Sequence, residues 1–119
     1  MRPRGTTKNK ATRTPKGPSK ERLAEMIEEA TVDAYDESEQ ATGWFTMLEE
    51  HLALPFETTV LGATVIVSSI DISDCDQIVV LCSRGRDRQT ISLVDLPLPS
   101  PRPAGADWIE AYRYWLRGS

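Results

Sequence analysis

The stretch EEATVDAYDESEQ, residues 28–40, contains six carboxylates and no lysine or arginine. Apolar residues on its N-terminal side recur at three- and four-residue steps, which predicts an amphipathic helix that begins after Ser19. A second helix is predicted over residues 37–52, because its apolar residues again share one face. Asp36 and Glu39 fit a capping box at the start of this second helix. The acidic stretch is therefore predicted to form the bend between two helices.

The charge of the chain is divided between an acidic body and a basic N-terminal segment. Residues 23–83 contain thirteen Asp or Glu residues and no Lys or Arg. Residues 1–18 contain no Leu, Ile, Val or aromatic residue, so they cannot bury enough apolar area to offset their ordering entropy. We predict a basic tail over residues 1–18 and one domain over residues 19–117. The tail is either solvated or an arm for nucleic acid or an acidic surface, and it could also fold back weakly on its own acidic body.

The pattern of the chain changes after Pro55 to short runs rich in Val, Ile and Thr, separated by turn signals. These runs predict four or five antiparallel strands in a small sheet or an SH3-like barrel. A proline-rich linker and a C-terminal helix opened by Asp107 follow. The predicted fold class is α+β, with two N-terminal helices, the sheet or barrel, and the C-terminal helix. The predicted strands are residues 56–60, 63–72, 77–83 and 89–94.

The acidic stretch offers the oxygen ligands that calcium prefers, since Ca²⁺ takes about six to eight oxygens in irregular geometry. An EF-hand is not present, because a frame that starts at Asp33 has Ser38 where glycine is required and Trp44 where glutamate is required. We therefore predict a carboxylate site of another kind at the bend. Its candidate ligands are Glu29, Asp33, Asp36, Glu37 and Glu39.

A second acidic cluster, Asp71, Asp74 and Asp76, lies in a predicted turn between strands. Aspartate in a turn commonly accepts hydrogen bonds from its own backbone, and this interpretation needs no metal. The other interpretation is that the fold brings Asp71 and Asp74 near the helical carboxylates, which would give a pair of sites or one broad acidic cleft. Both interpretations remain open from the sequence.

Other chemistry has little support in the sequence. His51 is the sole imidazole and has no identifiable nucleophile as a partner, so we predict no enzyme. Arg84, Arg86 and Arg88 form a basic hairpin tip, and with the tail they give the alternative function: an SH3-like interaction module that binds nucleic acid or an acidic protein. The acidic body argues against a large nucleic-acid footprint, because it would repel phosphate.

The remaining sequence features concern the cellular location, the cysteines and the oligomeric state of the protein. No apolar run is long enough to cross a membrane and no secretory signal is visible, so we expect a cytoplasmic protein. Cys75 and Cys82 are expected to be reduced thiols in that compartment. We expect a monomer whose partner is the calcium ion, and the sequence identifies no protein partner.

Three segments together resemble the cyanobacterial calcium-binding protein family that is associated with calcium buffering in heterocyst-forming cyanobacteria. The resemblance covers roughly residues 21–116 and implies a compact α+β domain that binds calcium without an EF-hand, as an intracellular buffer or sensor. It implies Asp33, Asp36, Glu37 and Glu39 as ligands, because they stand in the matching acidic segment. The three segments are EEATVDAYDESEQATGWFTMLEEHLALPFETTVLG (28–62), RGRDRQTISLVDLPLP (84–99) and GADWIEAYRYW (105–115).

Overall fold

The computed structural model describes residues 17–118, so most of the predicted basic tail lies outside the described residues. Within them, two helices precede an antiparallel sheet of four strands, and a single 3-10 turn leads to the last helix. The predicted α+β class is therefore confirmed. The elements are α1 (Lys20–Thr31), α2 (Glu37–His51), β1 (Phe56–Val60), β2 (Ala63–Ile72), β3 (Ile78–Arg84), β4 (Asp87–Ser92), the 3-10 turn (Leu93–Asp95) and α3 (Ala106–Leu116).

Both N-terminal helices begin where the sequence predicts a cap. The Ser19 hydroxyl accepts a hydrogen bond from the Arg22 backbone N–H, and this satisfies one of the free donors of the first turn of α1. Helix α2 then passes very close to α1, because a Cβ atom placed on Gly43 would lie 2.0 Å from the carbonyl oxygen of Ala30. Only glycine permits this approach, which explains why a weak helix former occupies the interior of α2.

The four strands form an open meander in the order β1-β2-β3-β4. Two-residue turns join β1 to β2 and β3 to β4, with positive φ angles at Leu61, Gly62 and Gly85. In the described residues β1 and β4 do not pair with each other, so the structure has the open sheet and not the SH3-like barrel. Strand β4 begins two residues earlier than predicted, because Asp87 pairs directly with Arg84 across the tight turn.

The core lies between the helices and one face of the sheet, and Trp44 of α2 is fully buried at its centre. The Trp44 ring forms T-shaped pairs with Trp108, at a centroid distance of 6.4 Å, and with Tyr112, at 5.6 Å. The Tyr112 hydroxyl accepts a hydrogen bond of 3.1 Å from the Ile78 backbone N–H, which joins α3 to the start of β3. The aromatic residues Trp108 and Tyr112 of the C-terminal helix therefore belong to the core.

The proline-rich segment after the 3-10 turn is held by polar contacts at several points. The Thr58 hydroxyl donates to the carbonyl oxygen of Pro97 at 2.6 Å, and the Ala53 N–H donates to the carbonyl of Ala104 at 2.8 Å. Arg113 of α3 donates to the carbonyls of Leu93 and Leu96.

None of the helices in residues 17–118 is both long and apolar enough to cross a lipid bilayer.

The two cysteines are free and differ in exposure, since Cys75 lies in an exposed turn and Cys82 is buried in β3. Burial raises the pKa of the Cys82 thiol, so its reactive thiolate form is scarcer than usual at pH 8. We therefore expect one thiol to react rapidly with Ellman's reagent in the folded protein and both to react after denaturation. Cys75→Ser should abolish the rapid phase, and two rapid thiols in the folded protein would contradict the packing of β3.

Candidate metal site

The turn between α1 and α2, residues 32–36, lies on the surface of the molecule. Asp33 has a φ angle of 58°, a left-handed conformation that aspartate tolerates better than most residues. Val32 is 64% exposed and Tyr35 is 85% exposed, so the large side chains of the turn are not anchored in the core. The turn is shaped by its backbone and by polar contacts at its C-terminal end.

Those polar contacts come from two predicted ligands. Asp36 Oδ1 accepts a hydrogen bond of 2.8 Å from the Glu39 backbone N–H, as a helix N-cap does. Glu39 Oε1 accepts a bond of 2.8 Å from the backbone N–H of Tyr35, one residue before the cap. The predicted capping function is therefore present, with Glu39 reaching to Tyr35 instead of to Asp36. Each of these bonds uses one carboxylate oxygen, and the other has no hydrogen-bond partner within residues 17–118.

Substitutions at Asp36 separate its capping function from its charge. Asp36→Ala removes the N-cap acceptor and should lower the free energy of unfolding by about 1 kcal/mol in calcium-free buffer. Asp36→Asn keeps an acceptor of similar capping strength and should leave the stability nearly unchanged while removing one negative charge. Urea unfolding followed by tryptophan fluorescence measures both effects. Equal losses for the two variants would show that the hydrogen bond to Glu39 does not stabilise α2.

The predicted ligands take part in no ion pair among the described residues. Within residues 17–118, ion pairs join Arg22 to Glu25, Arg102 to Asp107 and Arg113 to Glu110, and Glu50 Oε1 lies 4.0 Å from His51 Nε2. Glu29 lies in α1, Asp33 in the turn and Glu37 in α2, and like charges that are close together repel one another, so the acidic surface is electrostatically unfavourable as it stands. A cation bound there would reverse the sign of this contribution.

The structure does not gather the carboxylates into a finished coordination shell. In the part of the chain from residue 17 to 118, no three Asp, Glu, His or Cys side chains are close enough together to hold a metal ion. The side chains of Glu29, Asp33, Asp36, Glu37 and Glu39 are all exposed, so their carboxylates can be rearranged without disturbing the core. The donor set suits a hard cation such as Ca²⁺, and its assembly would require rotation of surface side chains.

The Asp71–Asp76 loop is organised mainly by its backbone and by Ser73. Asp71 Oδ1 accepts from the Ile72 N–H at 2.8 Å, and the Ser73 hydroxyl accepts from the N–H groups of Cys75 and Gln77. Asp76 has a φ angle of 60°, which closes the turn. Asp74 is exposed, and no hydrogen bond within the described residues involves its side chain. A hydrogen bond from the next residue of β2 thus accounts for Asp71 and turn formation for Asp76, and the structure does not bring this segment into one group with the helical carboxylates.

Two other features that the sequence singled out, His51 and the arginines of the hairpin tip, are distant from the acidic turn along the chain. His51, at the end of α2, stacks on the Trp108 ring at a centroid distance of 5.1 Å with an interplanar angle of 11°. It is an exposed residue that packs on this ring. Arg84, Arg86 and Arg88 are exposed at the turn between β3 and β4.

One exposed carboxylate of the acidic stretch was not among the predicted ligands. Glu28 has no ion-pair partner within residues 17–118, and it stands one position before Glu29, which places it about 100° around the helix from that residue. Including every carboxylate of the acidic stretch that lacks a basic neighbour in the sequence would have identified it.

The fold and this surface define an α+β protein with an open meander and an exposed acidic helical hairpin. Residues 24–116 match the family model described as calcium binding and named for CcbP. The chain therefore belongs to the CcbP calcium-binding family.

Two solved structures resemble this chain over most of its length. The crystal structure of Anabaena CcbP is 26% identical with a TM-score of 0.65, and the match covers 87% of this chain and 95% of that one. A calcium binding protein in its calcium-binding form is 27% identical with a TM-score of 0.68, and the match covers 82% of this chain and 92% of that one. No curated protein matches this chain.

Proposed function

We propose that this protein binds Ca²⁺ at the acidic turn between α1 and α2 and acts as a calcium buffer. The observation that carries the proposal is the match of residues 24–116 to a calcium-binding family, together with a surface whose carboxylates have no cationic partner among the described residues. The family match does not favour the alternative of an interaction module for nucleic acid. We assign no catalytic residue.

The ligands we propose are Asp33, Asp36, Glu37 and Glu39, with Glu29 from the last turns of α1. Asp36 and Glu39 each have one oxygen engaged in capping and one oxygen left for a cation. Bound Ca²⁺ would supply the positive charge that the described ion pairs do not provide at this surface. Asp71 and Asp74 remain weaker candidates, because Asp71 already accepts a hydrogen bond from its neighbour.

The affinity of such a site should be modest. Ordering long acidic side chains costs conformational entropy of roughly 1 kcal/mol each, and here the ligands are not preassembled. The core beneath the turn is already filled by apolar and aromatic side chains, so binding at the surface does not require the fold to change. This combination supports a buffer more than a switch. The monomeric state and the cytoplasmic location stay predictions from the sequence.

Equilibrium dialysis of chelator-treated protein against radioactive calcium tests the proposal. We expect saturable binding at low ionic strength that persists in an excess of magnesium, because Mg²⁺ requires near-octahedral geometry and loses its water reluctantly. Retention of no calcium above a protein-free control would overturn the proposed function. Equal displacement by magnesium and calcium would overturn the assignment to calcium.

A further inference from the structure

The charges of this chain are separated between its two parts. Residues 1–16 contain six Lys or Arg and no Asp or Glu, a formal charge of +6, and residues 17–119 carry −10. Opposite charges that are covalently joined attract one another at low ionic strength, and their attraction weakens as salt shortens the Debye length. The acidic part is therefore joined to a segment of opposite charge.

The exposed face of α1 is the acidic surface nearest to this partner in the chain. Glu21, Glu25, Glu28 and Glu29 are exposed along it, and of these only Glu25 takes part in an ion pair among the described residues. A helix of twelve residues is about 18 Å long, so this face leads from the start of α1 to the acidic turn. No other described element covers these side chains.

The described residues begin at Gly17, two positions before the residue that caps α1. Ser19 caps α1, and Gly17 lies against α3, since a Cβ atom on Gly17 would be 3.3 Å from Glu110 Cγ. Sixteen residues span at most about 50 Å when extended, which is nearly three times the length of α1. Residues 1–16 can therefore reach every carboxylate from Glu21 to Glu39.

We propose that residues 1–16 dock on the exposed face of α1 and compete with Ca²⁺ for the carboxylates of the adjoining turn. The proposal of docking depends only on the opposite charges, the exposed carboxylates of α1 and the length of residues 1–16. Competition rests on the proposed function as well, because Lys and Arg side chains and the calcium ion would neutralise the same carboxylates. By linkage, calcium binding then weakens docking by the same factor by which docking weakens calcium binding.

Two matched variants test docking without calcium. One carries Arg2→Gln, Arg4→Gln and Arg13→Gln in the basic segment, and the other carries Arg84→Gln, Arg86→Gln and Arg88→Gln at the hairpin tip. The amide NMR signals of Glu25, Glu28 and Glu29 should move in the first variant at roughly 20 mM salt, stay in place in the second, and coincide in all proteins at roughly 0.5 M salt. No movement, or equal movement in both variants, overturns docking. A movement that depends on protein concentration assigns the contact to a second copy and overturns it as well.

Calcium affinities of the same variants test competition. Neutralising the basic segment should lower the calcium dissociation constant about fivefold at low salt and leave it unchanged at high salt, with no such gain for the hairpin-tip variant. Equal affinities for the two variants would overturn competition. If none of the proteins binds calcium, the proposed function fails, and the amide signals decide docking independently.

Discussion

Replacing Gly43 with alanine is expected to lower the free energy of unfolding by about 2 kcal/mol or more. The added Cβ would lie 2.0 Å from the Ala30 carbonyl oxygen, a backbone atom that cannot move aside without shifting α1. Alanine also favours the helix interior by about 1 kcal/mol over glycine, so two effects of opposite sign compete. The clash should win because separating the two helices would also disturb the packing of the buried Trp44 beside Gly43.

Gly62→Ala is the matched control for this substitution. Gly62 has a φ angle of 80°, and a Cβ atom there would meet nothing within 4 Å, so alanine adds backbone strain of about 1 kcal/mol without a clash. Urea unfolding followed by tryptophan fluorescence compares the two variants. A Gly43→Ala protein as stable as the parent, or more stable, would mean that α2 does not cross α1 so closely and that the acidic turn is less firmly positioned.

Neutralising three proposed ligands that take no part in helix capping is expected to abolish most calcium binding. The variant Glu29→Gln, Asp33→Asn, Glu37→Gln removes three carboxylates and leaves the hydrogen bonds of Asp36 and Glu39 in place. Substituting outer-shell partners alone typically weakens metal affinity about 10- to 100-fold. The loss on removing direct ligands should be at least as large. Equilibrium dialysis measures the dissociation constant.

The control removes the same charges elsewhere on the surface. Glu49→Gln, Glu57→Gln, Asp95→Asn changes two glutamates and one aspartate at exposed positions outside the turn. If calcium is held by specific ligands, this variant should bind it nearly as well as the parent protein does. Equal losses of calcium affinity in both variants would show that the affinity depends only on the net charge of the acidic domain. The ligand assignment would then be wrong.

The fold follows from sequence signals that act locally. Ser19 and Asp36 cap the helices where predicted, because an N-cap depends on residues within one turn. Leu61-Gly62 forms the tight turn of the first hairpin, since positive φ angles there suit the twist of the strands. Open sheet and barrel could not be distinguished, because the runs of residues that predict strands do not say whether the first and last strands pair.

The site is less predictable than the fold, because ligand geometry depends on contacts between elements. The sequence identified the acidic turn, but it could not show that Glu39 would bond to the Tyr35 N–H. Nor could it show how close Gly43 lies to Ala30, a contact across two helices that accounts for a residue with poor helix propensity. The expected convergence of carboxylates depends on side-chain rotation at the surface, and a sequence pattern does not encode that rotation.

An amide NMR titration of chelator-treated protein with Ca²⁺ at low ionic strength tests most directly whether calcium binds at the turn between α1 and α2. We expect saturable changes that are largest over residues 29–39, with the signals of the β-strands nearly unmoved. The same titration of the variant Glu29→Gln, Asp33→Asn, Glu37→Gln should show little change in that segment. Changes confined to residues 71–77, or no changes at all, would contradict a calcium site at the turn between α1 and α2.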